Sequence, residues 1–176
     1  EAIYLTDPEG NGIEVYSDRP RDSWTWQGDM VTMGTQPLDI DNILLLTDTG
    51  RDNYQAAPDG LRIGHMHLRV GEIGKARGFY QDLLRLASTR GDRPNAAFLA
   101  SGGYHHHIAV NTWNSEGAAA RNAAETGLDW FSLRVSDAAL FAEQSGRLAA
   151  AGPTRALAGG IEAVDPWGTK LRLTPA

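Results

Sequence analysis

The chain has 176 residues, with 16 Lys plus Arg against 22 Asp plus Glu, a formal net charge of -6 at pH 7. At about 150 residues per domain this length allows one domain, or one with an appendage, and it can bury a sizeable core without staples. The acidic balance argues against a nucleic-acid partner, the absence of cysteine excludes disulfides, thiolate catalysis and Cys-ligated metal, and no apolar run approaches the roughly 20 residues of a membrane helix.

The sequence opens with EAIYLTDPEGNGIEVY, without an initiator Met or the charged and apolar regions of a signal peptide. It therefore reads as the middle of a longer chain. Residues 1–17 predict a hairpin. Ala2 to Leu5 form a short apolar run, the stretch from Asp7 to Gly12 is dense in turn residues, and Ile13 to Tyr16 alternate with period two. A hairpin alone is marginal in water, so this one needs a surface to dock on. Residues 18–60 read as a linker with a short helix. Trp24 and Trp26 lie in an irregular stretch, Asp39 caps a helix carrying Ile40, Ile43 and Leu44, and 49–60 is polar and turn-rich.

Residues 61–176 predict two βαβββ units, 61–127 and 128–176, and so an α+β fold. In the first, 63–70 is a strand. Residues 72–86 form a helix with Ile73, Ala76, Phe79, Tyr80, Leu83 and Leu84 on one stripe. Strands follow at 86–90, 96–101 and 104–113, and 114–127 is a loop or short helix. In the second, 128–135 is a strand, Asp137 caps a helix reaching Ala151, and Gly152-Pro153 ends it. A closing hairpin spans 160–174 around Asp165-Pro166-Trp167-Gly168. The sequence repeats internally: HMHLRV at 65–70 matches WFSLRV at 130–135, and DPEGNGIEVY at 7–16 matches DPWGTKLRLT at 165–174.

Strand alternation sorts the polar candidates. His65, His67 and Arg69 fall opposite the apolar Met66, Leu68 and Val70. His105, His107, Ala109, Asn111 and Trp113 fall opposite Ile108 and Val110, with His106 on the helix side. Glu14 opposes Ile13 and Val15, and Arg172 opposes Leu171 and Leu173. All five histidines thus fall in two strands. Imidazoles with a carboxylate suit Fe(II), Mn(II), Zn or Ni. The same histidines equally suit a polar strand rim with satisfied hydrogen bonds. The tryptophans serve packing or a substrate platform, and Arg69, Arg134 and Arg172 are exposed charges or bind an anionic group. The glycine-rich turns form no phosphate loop or dinucleotide fingerprint.

Four stretches carry a family resemblance: YLTDPEGNGIEVYSDRPRDSW, GHMHLRVGEIGKARGFYQDLL, FLASGGYHHHIAVNTW and GLDWFSLRV. Together they resemble the vicinal oxygen chelate superfamily of glyoxalase I, bleomycin-resistance proteins and extradiol dioxygenases. The likeness is greatest to bacterial catechol 2,3-dioxygenase-like proteins built from four βαβββ modules. It implies paired modules forming a cup-shaped mixed sheet with helices on its outer face. It also implies that the chain begins in the last hairpin of module two, so that two modules of about 50–60 residues each lie largely upstream.

The resemblance places His65 at the first-strand ligand position of module three and Glu14 at the last-strand ligand position of module two. Trp130 stands where module four would supply a His, and Arg172 where it would supply a Glu. The catalytic metal, most simply Fe(II) with Mn, Zn or Ni as alternatives, is therefore expected in the first cup, with Glu14 as the ligand present here. A secondary site is expected in the second cup. There His65 and His105 would be metal ligands, His67 and His107 acid/base groups, and Trp113, Trp130 and Arg172 substrate-binding residues. The implied activity is cleavage of an aromatic vicinal diol with O2. The alternatives are a non-catalytic module binding an aromatic or drug-like molecule, and a glyoxalase-like lyase. The implied partners are a small aromatic substrate and the missing N-terminal segment or a second chain, with a homo-oligomer possible in a cytoplasmic setting.

Overall fold

Asp7 builds the first turn of the chain. In this computed structural model, which describes residues 1–46, 55–57, 59–122 and 124–176, the Asn11 backbone N–H donates to Asp7 Oδ1 at 2.7 Å and the Asn11 side-chain amide to Oδ2 at 2.8 Å. These bonds hold the Asp7 carboxyl below the usual carboxylate range. Gly10 takes the left-handed φ of +86° that the turn needs. The turn joins β1 (Ala2–Thr6) to β2 (Gly12–Tyr16), paired antiparallel with Leu5 opposite Ile13 and Tyr4 opposite Glu14.

The hairpin belongs to the first of two structural units, Glu1–Ile63 and Gly64–Ala176. The rest of the first unit contains a 3-10 turn at Arg21–Ser23 and a small hairpin of β3 (Trp26–Gln27) and β4 (Met30–Val31). Trp26 thus lies in a paired strand rather than an irregular stretch. Helix α1 (Ile40–Leu46) is capped as the sequence indicates, the Asn42 N–H donating to Asp39 Oδ1 at 3.0 Å. Most of the polar stretch at 49–60, including 49–54, lies outside the described residues.

The second unit contains two βαβββ modules, an α+β fold. The first module runs β5 (Met66–Arg69), α2 (Ile73–Ala76) continued by a π-helix (Arg77–Leu83), β6 (Ala87–Arg90), β7 (Ala96–Ala100) and β8 (Ile108–Asn111). The second runs β9 (Trp130–Val135), α3 (Ala138–Ala151), β10 (Thr154–Leu157), β11 (Gly160–Val164) and β12 (Lys170–Pro175). Each module folds into a four-stranded mixed sheet, in the orders β5-β8-β7-β6 and β10-β11-β12-β9. First and last strands pair in parallel, and the remaining pairs are antiparallel.

Two elements differ from the sequence expectation. The helix after β5 is α-helical for one turn only. Ala76, Tyr80 and Leu84, spaced by four, are all fully buried, and a wider turn carries that spacing better than 3.6 residues does. The Leu86 N–H accordingly bonds back to the Gln81 carbonyl at 3.1 Å, and Arg85 closes the helix in the left-handed region at φ +54°. Strand β10 carries little hydrophobic signal, since Thr154, Arg155 and Ala156 are all exposed; it forms because β11 offers it an edge.

Both modules share one core. Leu68, Val70, Tyr80, Leu84, Ile108 and Val110 of the first join Phe131, Leu148, Leu171 and Leu173 of the second. Polar ties cross the same seam. The Gln144 side-chain amide donates to the Leu84 carbonyl at 2.6 Å, and the Tyr80 hydroxyl to Asp165 Oδ2 at 2.7 Å. Helix α3 starts on Asp137, whose Oδ1 accepts from the Leu140 N–H at 2.8 Å. No helix among the described residues is long and apolar enough to cross a membrane.

Candidate functional site

The repeats can be superimposed through their registers. Tyr4 opposite Glu14 in the first hairpin corresponds to Glu162 opposite Arg172 in the last. In the parallel ladders, His67 faces Ala109 and Ser132 faces Arg172. One position on the last strand of each module is therefore filled by Glu14, Ala109 and Arg172 in turn. One position on the first strand is filled by His65 and Trp130. The histidine of the third module has a methyl group, not a carboxylate, at the matching place on its neighbouring strand.

The histidines do not lie as strand alternation predicts. β8 starts only at Ile108, so His105, His106 and His107 occupy a bend that follows Gly102 and Gly103, both left-handed at φ +63° and +65°. The buried Thr89 hydroxyl donates to the His105 carbonyl, an oxygen that a continued ladder would have used. With pleating lost, His106 turns away from the helix side. It packs 4.2 Å from the His65 ring and 5.3 Å from Phe98, and its Nδ1 is 2.7 Å from His105 Nδ1. His65 and His105 meet edge to face at 6.0 Å. His67 lies over Phe98 at 6.2 Å and Trp113 at 5.7 Å. His107 instead stacks on Tyr104 at 5.0 Å, with Nε2 3.3 Å from the Ser101 carbonyl. The first-strand and bend histidines are neighbours, joined through the rings of Phe98 and Tyr104.

Burial shapes the chemistry of this cluster. His106 is 9% exposed. Its pKa is pushed down to about 2, first by desolvation and then by the charges of His65, His105, His67 and His107. It is therefore neutral in the folded chain near neutral pH. Sequence reasoning assigned it to the helix side, and the Gly102-Gly103 pair was the available signal that the strand starts late.

The fourth module presents a different set. Arg172 Nε donates to Glu162 Oε2 at 2.7 Å, and Arg155 Nε donates to Glu162 Oε1 at 3.0 Å. The Arg172 guanidinium lies 3.8 Å from the centroid of the Trp130 ring. Glu162 is 6% exposed, and its carboxyl sits below the usual carboxylate range chiefly because of the bond from Arg172, with Arg155 adding to it. Lys170, one position along the strand from Leu171, pairs with Asp129 at 2.5 Å.

Among the described residues no three His, Asp or Glu side chains are placed to hold one ion. The donor set explains this. Ala109, the register partner of His67, carries no donor atom, the Arg172 guanidinium has no lone pair to offer a cation, and the Nδ1 atoms of His105 and His106 are engaged with each other. Glu14 belongs to the first unit, where it accepts a hydrogen bond from the Tyr4 hydroxyl at 3.0 Å. Burial, followed by that bond and the Glu14 charge, raises the Tyr4 phenol above its ordinary range. His65, His105 and Glu14 are thus not a complete donor set in the described residues.

The fold matches known structures. A glyoxylase/bleomycin resistance protein/dioxygenase domain from Frankia sp. EAN1pec aligns with a TM-score of 0.51 at 22% identity, over 66% of this chain and 92% of that one. A glyoxalase-type protein of Bacillus halodurans aligns with a TM-score of 0.51 at 15% identity, over 67% of this chain and 97% of that one. No family model matches the sequence. Two βαβββ modules whose first and last strands pair in parallel give the chain the glyoxalase-type fold of these structures, and fold and sequence together are consistent with the vicinal oxygen chelate superfamily. The chain is 39% identical to a Bacillus subtilis (strain 168) protein named catechol-2,3-dioxygenase, over 76% of this chain. It spans 47% of that relative's length.

Proposed function

We propose that the chain is part of a metal-dependent extradiol dioxygenase-like protein that opens an aromatic vicinal diol with O2. The observation that carries this reading is the 39% identity to a protein named catechol-2,3-dioxygenase. Glu14 is the residue of this chain that serves the metal, most simply Fe(II), with Mn, Zn or Ni as alternatives. It sits on β2 opposite Tyr4, whose hydroxyl donates to one carboxylate oxygen and orients the group. The described residues of Gly64–Ala176 do not complete a ligand set, so on this reading the remaining ligands are supplied by further sequence of the polypeptide or by a second chain. No chemical step is assigned to the His65–His105–His106 group.

The test is ring cleavage of catechol with added Fe(II), comparing the 176-residue chain with a longer polypeptide that contains it. Turnover is expected from the longer polypeptide and not from the 176 residues alone. Glu14→Gln in the longer polypeptide is expected to lower turnover by at least about two orders of magnitude, since a ligand should matter no less than the groups that orient it, whose loss costs about 10–100-fold. Full activity in that variant, or turnover by the 176 residues alone, contradicts this assignment.

A further inference from the structure

The fourth module carries a cation where the equivalent hairpin carries a carboxylate. Glu14 and Arg172 occupy the same register position of two hairpins whose turns are built alike. Asp7 and Asp165 both accept the N–H four residues on, at 2.7 and 2.8 Å, and Gly10 and Gly168 both take positive φ. The backbone is therefore the same and the charge is reversed. A position that in one copy suits a cation suits an anion in the other.

Arg172 is held for such a role. Its Nε is tied to Glu162 Oε2 at 2.7 Å, and its plane lies 3.8 Å from the Trp130 ring centroid. Its two terminal amino groups make no hydrogen bond among the described residues. Glu162 is shared between Arg172 and Arg155. Two guanidinium groups against one carboxylate leave one positive charge in excess. Arg134 lies two residues beyond Ser132 on the neighbouring strand, opposite Thr174, and adds a further cation to the same sheet. This local excess stands in a chain whose net charge is -6. A structural ion pair needs one arginine. The second guanidinium, immobilised and with donors to spare, is the geometry of an oxyanion receptor. Because Glu162 and Trp130 already fix the side chain, a ligand loses little by ordering it.

We propose that Arg172 and Trp130 form a metal-independent binding site for a planar carboxylate, with an aromatic carboxylate as the ligand class. The carboxylate takes the outward N–H groups of Arg172. The ligand ring lies against Trp130, which is 43% exposed. Arg155 reinforces the field without being required for the contact, and no ion is involved.

The experiment titrates the 176-residue chain with benzoate and follows the tryptophan indole N–H signals by two-dimensional NMR. The chain has five tryptophans, and Trp130→Phe identifies the signal of Trp130. Benzoate is expected to shift that signal saturably, unchanged by EDTA, while benzyl alcohol at the same concentration leaves it in place. Acetate is expected to bind at least about tenfold more weakly than benzoate, since it lacks the ring. Arg172→Lys keeps the charge but loses the fork, and is expected to weaken benzoate about tenfold; Arg172→Met is expected to abolish the shift. Arg172→Lys keeps the test decisive if the methionine variant fails to fold. Three results overturn the proposal: no effect of benzoate on Trp130, the same benzoate affinity in Arg172→Lys and the wild type, or equal binding of benzyl alcohol. Equal binding of acetate and benzoate overturns the aromatic assignment. A benzoate shift lost on adding EDTA overturns the metal-free assignment.

Discussion

Tyr80→Phe isolates the polar bond between the two modules of Gly64–Ala176. The Tyr80 side chain is fully buried, and its hydroxyl donates to Asp165 Oδ2 at 2.7 Å. Asp165 is itself 5% exposed, and its other oxygen holds the Trp167 and Thr169 N–H groups at 2.9 and 2.8 Å. Removing the hydroxyl leaves the ring in place, so packing is kept. It strands one buried carboxylate oxygen without its donor. Hydrogen bonds to charged groups contribute about 1.5–3 kcal/mol, so a loss of about 2 kcal/mol is expected. At about 2–4 °C per kcal/mol, the thermal midpoint should fall by roughly 4–8 °C. Circular dichroism measures it, and faster amide exchange at Trp167 and Thr169 locates it. A double-mutant cycle with Asp165→Asn should return a coupling above about 1 kcal/mol. The pH dependence gives an independent check. Burial, then the Asp165 charge and hydrogen bond, hold the Tyr80 phenol well above its ordinary range. The unfolded chain releases this proton near pH 10 and the folded chain does not. The contribution is therefore complete below about pH 10 and is lost as pH rises beyond it. Tyr80→Phe should flatten that alkaline loss. A midpoint within about 1 °C of wild type, or an unchanged alkaline limb, would refute the reasoning.

Two further predictions concern the third module. His106, pushed down to about 2, is neutral in the folded chain while the unfolded chain protonates near pH 6.5. Its contribution is present above about pH 6.5 and is lost as pH falls below it, at no more than about 1.4 kcal/mol per pH unit. His106→Gln should therefore flatten the fall in urea midpoint between about pH 7 and 5; an undiminished slope would refute this account of His106. Gly71 lies where a Cβ would come 2.1 Å from the Ala118 carbonyl oxygen, and its own carbonyl accepts from the Gly117 N–H at 2.8 Å. Gly71→Ala forces this backbone apart and should cost about 1–3 kcal/mol, read as a drop in thermal midpoint that an unstrained site would not show.

The parts of the fold legible in the sequence are those where one local rule decides. Asp137 and Gly152 bracket α3 because a cap and a stop act within a turn of their own positions. The Asp-Pro-x-Gly repeats give both hairpins their register because the aspartate bonds its own loop. The pairing of first with last strands follows from the module as a unit, and so does the proximity of His65 to His105. What was not legible depends on distant partners. The π-helix reflects the burial of Tyr80 against a residue 85 positions away. β10 exists because β11 presents an edge. The histidine bend is set by the Thr89 hydroxyl and two left-handed glycines, and alternation gave His106 the wrong side because pleating ends before it. The resemblance of Trp130 and Arg172 to ligand positions was visible in the repeat, but the carboxylate that fixes Arg172 comes from β11 and only register reveals it.

The repeat also shows where this fold stores stability and where it stores chemistry. Leu171 and Leu173 are almost wholly buried and pack in the core beneath α3, while their equivalents Ile13 and Val15 are 45% and 52% exposed in the described first unit. The apolar side of both hairpins is kept although only one of them is covered here, because a strand cannot change that face without losing its place under a helix. The opposite face has no such constraint. A hydrogen-bonded pair there needs one acceptor and one donor, and either strand can supply either. Tyr4 donates to Glu14 in the first hairpin, and Arg172 donates to Glu162 in the last. The roles are exchanged across the same register. Exchanging them reverses the charge carried at that position of the last strand while the hairpin register stays the same.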